Sequence, residues 1–402
     1  MDSSIGNLFA SVTAAYNRAI TAEASKDESS PDEQGTEWWI LGEYYDRSRA
    51  RERREKEISI MWWSYRSNFL EMRPYGFTSD TGWGCMLRCS QMLLCQSLSL
   101  HRPSITPETY LSLFADVPGK AHPFGIHGMC RAGLGRDKFP GEWFGPREGC
   151  FVVKDLVGES KMGGGLDLKI IVAGEGCIYR DNVVEEMEKE EMGEEVRRRP
   201  LPPPPPISSD HDPLFNPPPS LTGTKEWSKS LLILIPLRLG VNGIDGRYRK
   251  NIVEAFSMKS FCGMMGGTPR HAIYFYGIDK GGGGLRGKDP HTTQFAPGRG
   301  REGKVKITKE YRDSCRGGDV TVRLESIDPS LALSFYVRGR DEFEAFVREA
   351  REGVAGEDLE GGKRLFSVED RAPDYGGDLG LEGCVDGVED GEDASEDEWE
   401  FI

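Results

Sequence analysis

Hydrophobic residues along the chain form short blocks, and several of these blocks are apolar at nearly every position. Such unbroken runs are typical of strands that are buried on both faces of a sheet. They predict strands at residues 37–41, 168–173, 230–239, 271–277, 321–324, 332–337 and 365–368. Helical patterns dominate the first part of the chain and strands the second, so the order of the blocks favours an α+β fold.

Other apolar residues recur at helical spacing, and they predict helices at residues 58–69, 85–101, 107–114, 248–256 and 341–349. The helix that starts at Cys85 is apolar around almost its whole circumference, which predicts a buried helix. Residues 46–57 are highly charged and predict a connector. Residues 124–143 are rich in glycine and predict loops with a short helix, and residues 263–269 predict a loop.

Three stretches lack the apolar content of a folded core. Residues 1–35 predict a flexible N-terminal arm, residues 180–225 a disordered insertion that is charged and then proline-rich, and residues 371–402 a disordered tail. The five consecutive prolines at 202–206 favour an extended polyproline conformation, either as a spacer or as a ligand for an SH3-like module. One interrupted domain, residues 36–370, remains.

Composition narrows the class of protein. The 402 residues carry a formal net charge of -15, which argues against a general nucleic-acid binder. Nine Asp or Glu residues among the last 17 predict a solvated acidic tail. The nine cysteines form neither a disulfide framework nor paired CxxC knuckles for zinc, and no apolar run reaches membrane-spanning length. We therefore expect a cytoplasmic protein with free thiols, no metal and no cofactor.

A candidate nucleophile lies where polar and glycine residues give way abruptly to the apolar helix. Cys85 occupies the first turn of that helix, where unpaired backbone N–H groups and the helix dipole favour a thiolate. Gly82 and Gly84, on either side of Trp83, allow a tight turn and the close approach of another chain. This combination predicts a reactive cysteine.

A cysteine nucleophile requires a base, and one of the six histidines is well placed for that role. Asp289 and His291 are two residues apart, so in extended backbone their side chains project to the same side. Asp289 can then accept the imidazole N–H and hold the ring in one tautomer, while Pro290 stiffens the segment. Taken alone, an Asp-Pro-His segment is an ordinary turn, and a lone cysteine is usually a small buried hydrophobe.

Residues 78–89 and 289–294 together resemble the active-site signatures of the autophagins, the cysteine peptidases of autophagy that process its ubiquitin-like modifier. The resemblance covers about residues 36–158 and 227–370. Within these ranges, further segments resemble the family in the same order, namely residues 39–42, 63–69, 143–146, 234–240, 266–269 and 328–331.

The resemblance implies a papain-like cysteine peptidase fold with a small extra subdomain. It implies that Cys85 is the nucleophile, His291 the general base and then acid, and Asp289 the residue that orients His291. It also implies that the Tyr65 hydroxyl donates to the oxyanion beside the Cys85 backbone N–H. Papain itself fits less well, because Ser79 stands where papain would carry its oxyanion glutamine.

By the same resemblance, Trp143 is part of a gate over the active-site groove, opposite the glycine-rich loop that contains Gly266, Gly267 and Pro269. A narrow channel between them would accept a thin, glycine-containing C-terminal peptide and exclude bulky side chains.

The last four residues, from Trp399 to Ile402, follow a run of acidic residues. They resemble the short motif that binds the autophagy modifier by adding a strand to the edge of its sheet. The resemblance therefore implies a modifier-binding tail.

The implied activity is cleavage after the C-terminal glycine of the modifier precursor and release of the modifier from phosphatidylethanolamine, both through a thioester. The implied partners are the free and the lipid-conjugated modifier, with peripheral contact to autophagic membranes through the modifier. A second hypothesis is a catalytically impaired adaptor that binds the modifier. It arises because residues 280–288, where the family has an apolar strand, are rich in glycine and predict a poor strand before His291.

Overall fold

A computed structural model describes residues 36–160, 167–198, 227–298, 305–354 and 363–373. The strands are β1 (Trp38–Ile40), β2 (Glu43–Tyr45), β3 (Arg66–Met72), β4 (Phe77–Ser79), β5 (Leu168–Val172), β6 (Cys177–Tyr179), β7 (Ser230–Arg238), β8 (Phe261–Thr268), β9 (His271–Asp279), β10 (Gly284–Lys288), β11 (Gln294–Phe295), β12 (Asp319–Arg323), β13 (Ser330–Val337) and β14 (Ser367–Glu369). The helices are α1 (Ala50–Ser59), α2 (Cys85–His101), α3 (Pro107–Leu113), α4 (Ile126–Leu134), α5 (Pro146–Glu159), α6 (Arg180–Arg198), α7 (Arg249–Ser257), α8 (Lys309–Asp313) and α9 (Arg340–Glu352). None of these described helices combines the length and the apolarity that crossing a bilayer requires.

A large mixed sheet organises the fold. Its central strands lie in the order β12-β10-β9-β8-β13-β7-β5, and β1 extends the sheet by pairing with β9 and β2. Neighbouring strands are antiparallel except for the parallel pair β5 and β7. The α+β class that the order of hydrophobic blocks favours is confirmed.

Alternating residues of the central strand β9 face two separate cores. Ala272, Tyr274 and Tyr276 pack on the side that holds α2, whereas Ile273 and Phe275 pack on the side that holds α7 and α9. This alternation follows from the period-two geometry of a strand. Helix α2 therefore lies against the sheet and is buried along most of its length, as its apolar circumference predicts.

The charged connector predicted at residues 46–57 is mostly helix α1, so that prediction is wrong. Ion pairs one helical turn apart replace the missing apolar stripe. Arg51 pairs with Glu55 at 3.0 Å, and the buried Arg53 pairs with Glu57 at 3.4 Å.

The prediction of a helix at residues 58–69 is also wrong. Only its first two residues belong to α1, residues 60–65 run in an irregular stretch, and β3 follows. Tertiary bonds satisfy the backbone here, because the Trp62 N–H donates to the Cys315 carbonyl at 3.0 Å and the Tyr65 N–H to the Pro290 carbonyl at 2.9 Å. Aromatic residues that predicted one helix face are therefore buried by long-range contacts.

The loop predicted at residues 263–269 is a strand. β8 continues to Thr268, and only Pro269 and Arg270 form the turn to β9. A side chain at Gly263 has no space, because a Cβ there would lie 2.3 Å from the ring of Tyr274 on the neighbouring strand. The glycine therefore serves close strand packing rather than a loop.

The poor strand predicted at residues 280–288 is strand β10 from Gly284 onwards, and it pairs with β9 on one side and β12 on the other. A Cβ at Gly287 would lie 2.7 Å from Ile273 and 2.9 Å from Phe275, so glycine again permits close packing. Lys288 is fully buried and pairs with Asp319 at 2.8 Å. The approach to His291 is thus a paired, anchored strand.

The insertion predicted as disordered at 180–225 begins as helix α6. Val183, Val184 and Met187 are buried in the core that also contains α9, and Arg180 pairs with Glu344 of α9 at 2.6 Å. In the sequence, the charged residues around these three apolar positions mask the helical pattern. Residues 199–225, the arm 1–35 and the tail from 374 lie outside the described residues.

Candidate active site

Cys85 is the first residue of α2 and is 4% exposed. Gly84 precedes it at the helix N-terminus, and its carbonyl accepts the first helical hydrogen bond from the Arg88 N–H at 3.0 Å. The Cys85 Sγ lies 3.8 Å from the carbonyl oxygen of Arg270, in the β8–β9 turn. The thiol is therefore held between a helix N-terminus and a strand turn.

A fully buried cluster of charges supports this helix N-terminus. The Asp80 carboxylate accepts the Arg66 backbone N–H at 2.7 Å and two guanidinium N–H groups of Arg88 at 2.8 and 2.9 Å. Arg88 also donates to Asp116 at 3.0 Å. Since buried charges persist only when they are paired and hydrogen-bonded, this cluster fixes the turn that precedes Cys85.

Asp289 and His291 follow directly after β10, and the structure brings their side chains together. His291 Nδ1 lies 2.5 Å from Asp289 Oδ1, which also accepts the His291 backbone N–H at 2.9 Å. The Asp289 backbone is tied on both sides: its N–H donates to the Gly318 carbonyl, and its carbonyl accepts the Trp62 indole N–H, each at 2.7 Å. The backbone from which the Asp289 carboxylate projects is therefore held in place.

The protonation states of the three groups depend on one another. Burial raises the pKa of the Cys85 thiol, but the hydrogen bond and the charge of His291 outweigh it, so this pKa lies below its ordinary value. Burial lowers the pKa of His291, but Asp289 and Cys85 raise it to about 9. Burial also opposes ionisation of Asp289, yet the adjacent imidazoles hold its pKa well below the usual range. Together these shifts favour a thiolate beside an imidazolium.

Tyr65 lies edge-on against His291, with ring centroids 5.2 Å apart and planes at 84°. Its hydroxyl is buried, and Cys85 is the neighbouring group that acts on it most strongly. Burial, followed by the nearby charge of Cys85, raises the pKa of Tyr65 well above its ordinary value. The phenol is therefore neutral and keeps a proton that it can donate.

A groove of about 160 Å³ opens beside Cys85. Trp143 forms part of one wall, and its indole N–H donates to the Gly82 carbonyl at 2.7 Å. The three other residues predicted for the gate, Gly266, Gly267 and Pro269, line the same groove. The predicted gate residues thus line one groove together with the thiol.

Arg270 also lines this groove and contacts Trp143. Its guanidinium carbon lies 3.8 Å from the centroid of a Trp143 ring, a cation–π contact. Arg270 also has a φ of +69°, in the left-handed region that non-glycine residues seldom adopt. The charged side chain of Arg270 therefore lines the groove in contact with Trp143.

Comparison with known proteins gives the family. The family model described as the peptidase C54 catalytic domain matches residues 50–349. The chain belongs to the peptidase C54 family. Similar proteins include the cysteine proteases ATG4A of Pongo abelii and of Homo sapiens, each 30% identical over 91% of this chain and 89% of the relative. The cysteine protease ATG4B of Xenopus laevis is 28% identical over 83% of this chain and 84% of its own. By family, the chain is a cysteine protease.

The site of this C54 peptidase includes a histidine that the sequence did not predict. His271 is 8% exposed, and its ring stacks on His291 with centroids 3.6 Å apart and planes at 6°. Its Nε2 lies 3.6 Å from Asp289 Oδ2. No spacing indicates this, because His271 opens a predicted strand and meets Asp289 only through the pairing of β9 with β10.

The two histidines and Asp289 also form the kind of group that can hold a metal ion. Their possible ligand atoms all lie within 4.8 Å of one another. An imidazole binds a metal through a lone pair in its ring plane, and two parallel planes 3.6 Å apart share no such point. In this C54 peptidase a ring would have to turn before both histidines bound one ion.

The predicted modifier-binding tail and the adaptor hypothesis have different outcomes. Trp399 and Ile402, predicted as the modifier-binding tail, lie outside the described residues. The adaptor hypothesis rested on a disturbed segment before His291, but that segment is strand β10, paired on both sides. The structural reason for expecting an impaired C54 peptidase is thereby removed.

Proposed function

We propose that Cys85 is the nucleophile of this cysteine protease, His291 its general base and acid, and Asp289 the group that orients His291. The observation that supports these roles is the 2.5 Å contact of the His291 imidazole with the Asp289 carboxylate, next to a thiol whose pKa this imidazole lowers. Cys85 lines a groove that is open to a peptide. The family match and the α+β sheet also support a papain-like fold with a small extra subdomain.

In the acylation step, the Cys85 thiolate attacks the carbonyl carbon of the scissile amide, and the carbonyl electrons move to oxygen. The imidazolium of His291 then gives its proton to the leaving nitrogen, the C–N bond breaks, and a thioester remains. In the deacylation step, neutral His291 takes a proton from water, and the resulting hydroxide attacks the thioester. The acid leaves, and Cys85 returns to a thiolate beside an imidazolium.

Tyr65 and the Cys85 backbone N–H donate to the negatively charged oxygen in both steps. Two observations favour Tyr65: its phenol is held neutral, and its hydroxyl is buried beside Cys85. A donor that is already free of water needs no reorganisation when the oxyanion forms.

The substrate that fits the groove is a thin C-terminal peptide containing glycine, as in the precursor of the ubiquitin-like autophagy modifier. The groove that Trp143 and the two glycines line has a volume of only about 160 Å³, which leaves little room for side chains on the substrate. We propose cleavage of that precursor after its glycine, and cleavage of the amide that joins this glycine to phosphatidylethanolamine. The enzyme would then work in the cytoplasm and meet autophagic membranes through the modifier.

A direct test incubates the purified chain with modifier precursor and, separately, with modifier conjugated to phosphatidylethanolamine in liposomes. We expect both to be cleaved, and Cys85→Ala to abolish both activities. Cys89→Ala is a matched control on the same helix, and it should retain activity, because burial raises the pKa of Cys89 well above its ordinary value. Product formation by Cys85→Ala would exclude the proposed nucleophile.

The role of the tail needs its own measurement. We expect Trp399→Ala to weaken binding of the modifier while leaving the reactivity of Cys85 toward a small alkylating agent unchanged. Isothermal titration with modifier supplies the binding constant. An unchanged dissociation constant would remove the tail from this proposal.

A further inference from the structure

His271 occupies a point where the wall of the groove meets the catalytic group. It follows the Pro269–Arg270 turn and pairs with Thr268 across the hairpin of β8 and β9. The same residue lines the groove and contacts both His291 and Asp289. Its position links the substrate channel to the proposed base, and the mechanism above does not yet use it.

The Asp289 carboxylate has two oxygens, and different histidines approach them. Oδ1 receives the ring and backbone N–H groups of His291. Oδ2 faces His271 Nε2 at 3.6 Å, slightly beyond hydrogen-bond length. A carboxylate with an imidazole against each oxygen is hindered in its rotation about the Cβ–Cγ bond, so the oxygen used by His291 tends to keep its direction.

The ring of His291 is enclosed on two sides. His271 covers it with a parallel ring at 3.6 Å, and Tyr65 meets it edge-on at 5.2 Å. Two protonated imidazoles stacked at this distance would repel each other strongly. When His291 carries the positive charge, His271 must therefore be neutral.

The surroundings of the second ring nitrogen agree with a neutral His271. His271 Nδ1 is buried and has no hydrogen-bonding partner among the described residues. A buried N–H without an acceptor is costly, whereas an unused lone pair costs less. We therefore assign the proton of His271 to Nε2, the nitrogen that faces Asp289.

We propose that His271 is a positioning residue for the Asp289–His291 pair: its Nε2–H holds Asp289 through Oδ2, and its ring keeps His291 in one orientation beside Cys85. This inference rests on the catalytic roles proposed above for Cys85, His291 and Asp289. His271 does not touch the reacting atoms in this scheme, and it acts only through the carboxylate and the stacked ring.

Two substitutions separate the N–H group from the ring. His271→Gln keeps an N–H donor at nearly the same reach, and His271→Phe keeps a stacking ring without the donor. We expect His271→Phe to lower kcat for modifier precursor by about tenfold, the low end of the range for losing a hydrogen bond to a charged group because the contact is 3.6 Å long, with KM unchanged. His271→Gln should lower kcat by at most about threefold, because the donor remains and only the stacked ring is lost.

A double-mutant cycle with Asp289→Asn distinguishes positioning from a general loss of structure. If His271 acts through Asp289, then His271→Phe in the Asp289→Asn background should change kcat by less than about twofold. Additive losses, a glutamine variant as slow as the phenylalanine variant, or a phenylalanine variant with parental kcat would each overturn the proposal. If His271→Phe does not fold, judged by circular dichroism, His271→Gln and His271→Asn in the same cycle replace it, because asparagine is too short to reach Oδ2.

The parent chain and Cys85→Ala are assayed in the same series. A parent chain that cleaves the precursor, with Cys85→Ala inactive, supports the proposed function whatever His271 does. If the parent chain does not cleave the precursor, the result refutes the proposed function itself.

Discussion

Gly84 is the position where the packing beneath the proposed nucleophile can be tested most directly. A Cβ at this residue would lie 2.4, 2.7 and 2.9 Å from three atoms of the Asp80 side chain. Real Cβ atoms essentially never approach that closely, and Asp80 has no flexible end that could move aside. The backbone of Gly84 has a φ of -83°, which any residue can adopt, so a Gly84→Ala substitution tests space alone.

The chain has two ways to relieve the overlap. Turning Asp80 away would break its pairing with Arg88, which typically costs about 3–5 kcal/mol in a buried site. Shifting the turn instead costs about 1–3 kcal/mol, the range for overpacked cores. The cheaper response is the shift, and alanine restores about 0.4–1 kcal/mol by restricting the unfolded chain. We therefore expect Gly84→Ala to reduce the free energy of unfolding by about 1–2 kcal/mol.

Gly158→Ala is the matched control. Gly158 lies within α5, and a Cβ there would meet no atom within 4 Å. Alanine should therefore stabilise this helix by about 0.5–1 kcal/mol. Urea denaturation followed by tryptophan fluorescence measures both variants. Because the shifted turn carries Cys85, kcat of Gly84→Ala should also fall about tenfold or more. A Gly84→Ala variant as stable as Gly158→Ala would refute the packing argument.

Three further predictions concern the chemistry of the site. Tyr65→Phe should lower kcat for precursor cleavage by about ten- to a thousandfold with little change in KM, and an unchanged kcat would exclude the hydroxyl as an oxyanion donor. The kcat/KM of the parent chain should fall as pH rises through about 9, where His291 loses its proton. Asp289→Asn removes the carboxylate that raises this pKa, so the decline should move to lower pH; an unmoved profile contradicts the assignment. Arg270→Gln keeps the strained turn but removes the charge over Trp143, and it should lower KM by about two- to fivefold if the contact, typically about 0.5–1 kcal/mol, must open for substrate.

The parts of the fold that sequence predicts well are those whose burial is determined by their own pattern. The apolar run 230–239 is strand β7, and the residues of 271–277 fall within β9. The failures share one cause, which is that tertiary contacts decided the conformation. Residues 60–65 are irregular because two of their backbone N–H groups, those of Trp62 and Tyr65, donate to carbonyls more than 200 positions away. Helix α6 forms because Val183 and Met187 meet a distant core.

Glycine was the most misleading residue type. Gly263 and Gly287 suggested a loop and a poor strand, yet each lies within a paired strand. Both stand where a side chain of the adjacent strand takes the space of their own Cβ. A single sequence does not show which strands are neighbours, so the same glycine has two opposite interpretations until the pairing is known.

The residues of the site also differ in whether the sequence alone indicates them. Cys85 has a local signal at a helix N-terminus, and Asp289 and His291 have a two-residue spacing, so both could be proposed from the sequence together with the family resemblance. His271 has neither kind of signal. Its contact with Asp289 depends on the pairing of two strands, and its stacking on His291 depends on the backbone after β10. Residues that act through such contacts become visible only when the sheet is assembled.

Two cysteines on α2 show how much of the reactivity is local. Cys85 and Cys89 are both buried, yet the pKa of Cys89 is raised well above its ordinary value, mainly by burial, while that of Cys85 is lowered. A helix dipole contributes about 0.3–1 kcal/mol near its terminus, which is less than one pKa unit. Burial can raise a pKa by several units, so the helix N-terminus alone could not keep Cys85 ionised. The imidazole of His291 decides the outcome. The thiolate of the proposed nucleophile therefore depends on two segments more than 200 residues apart, because His291 lowers the pKa of Cys85.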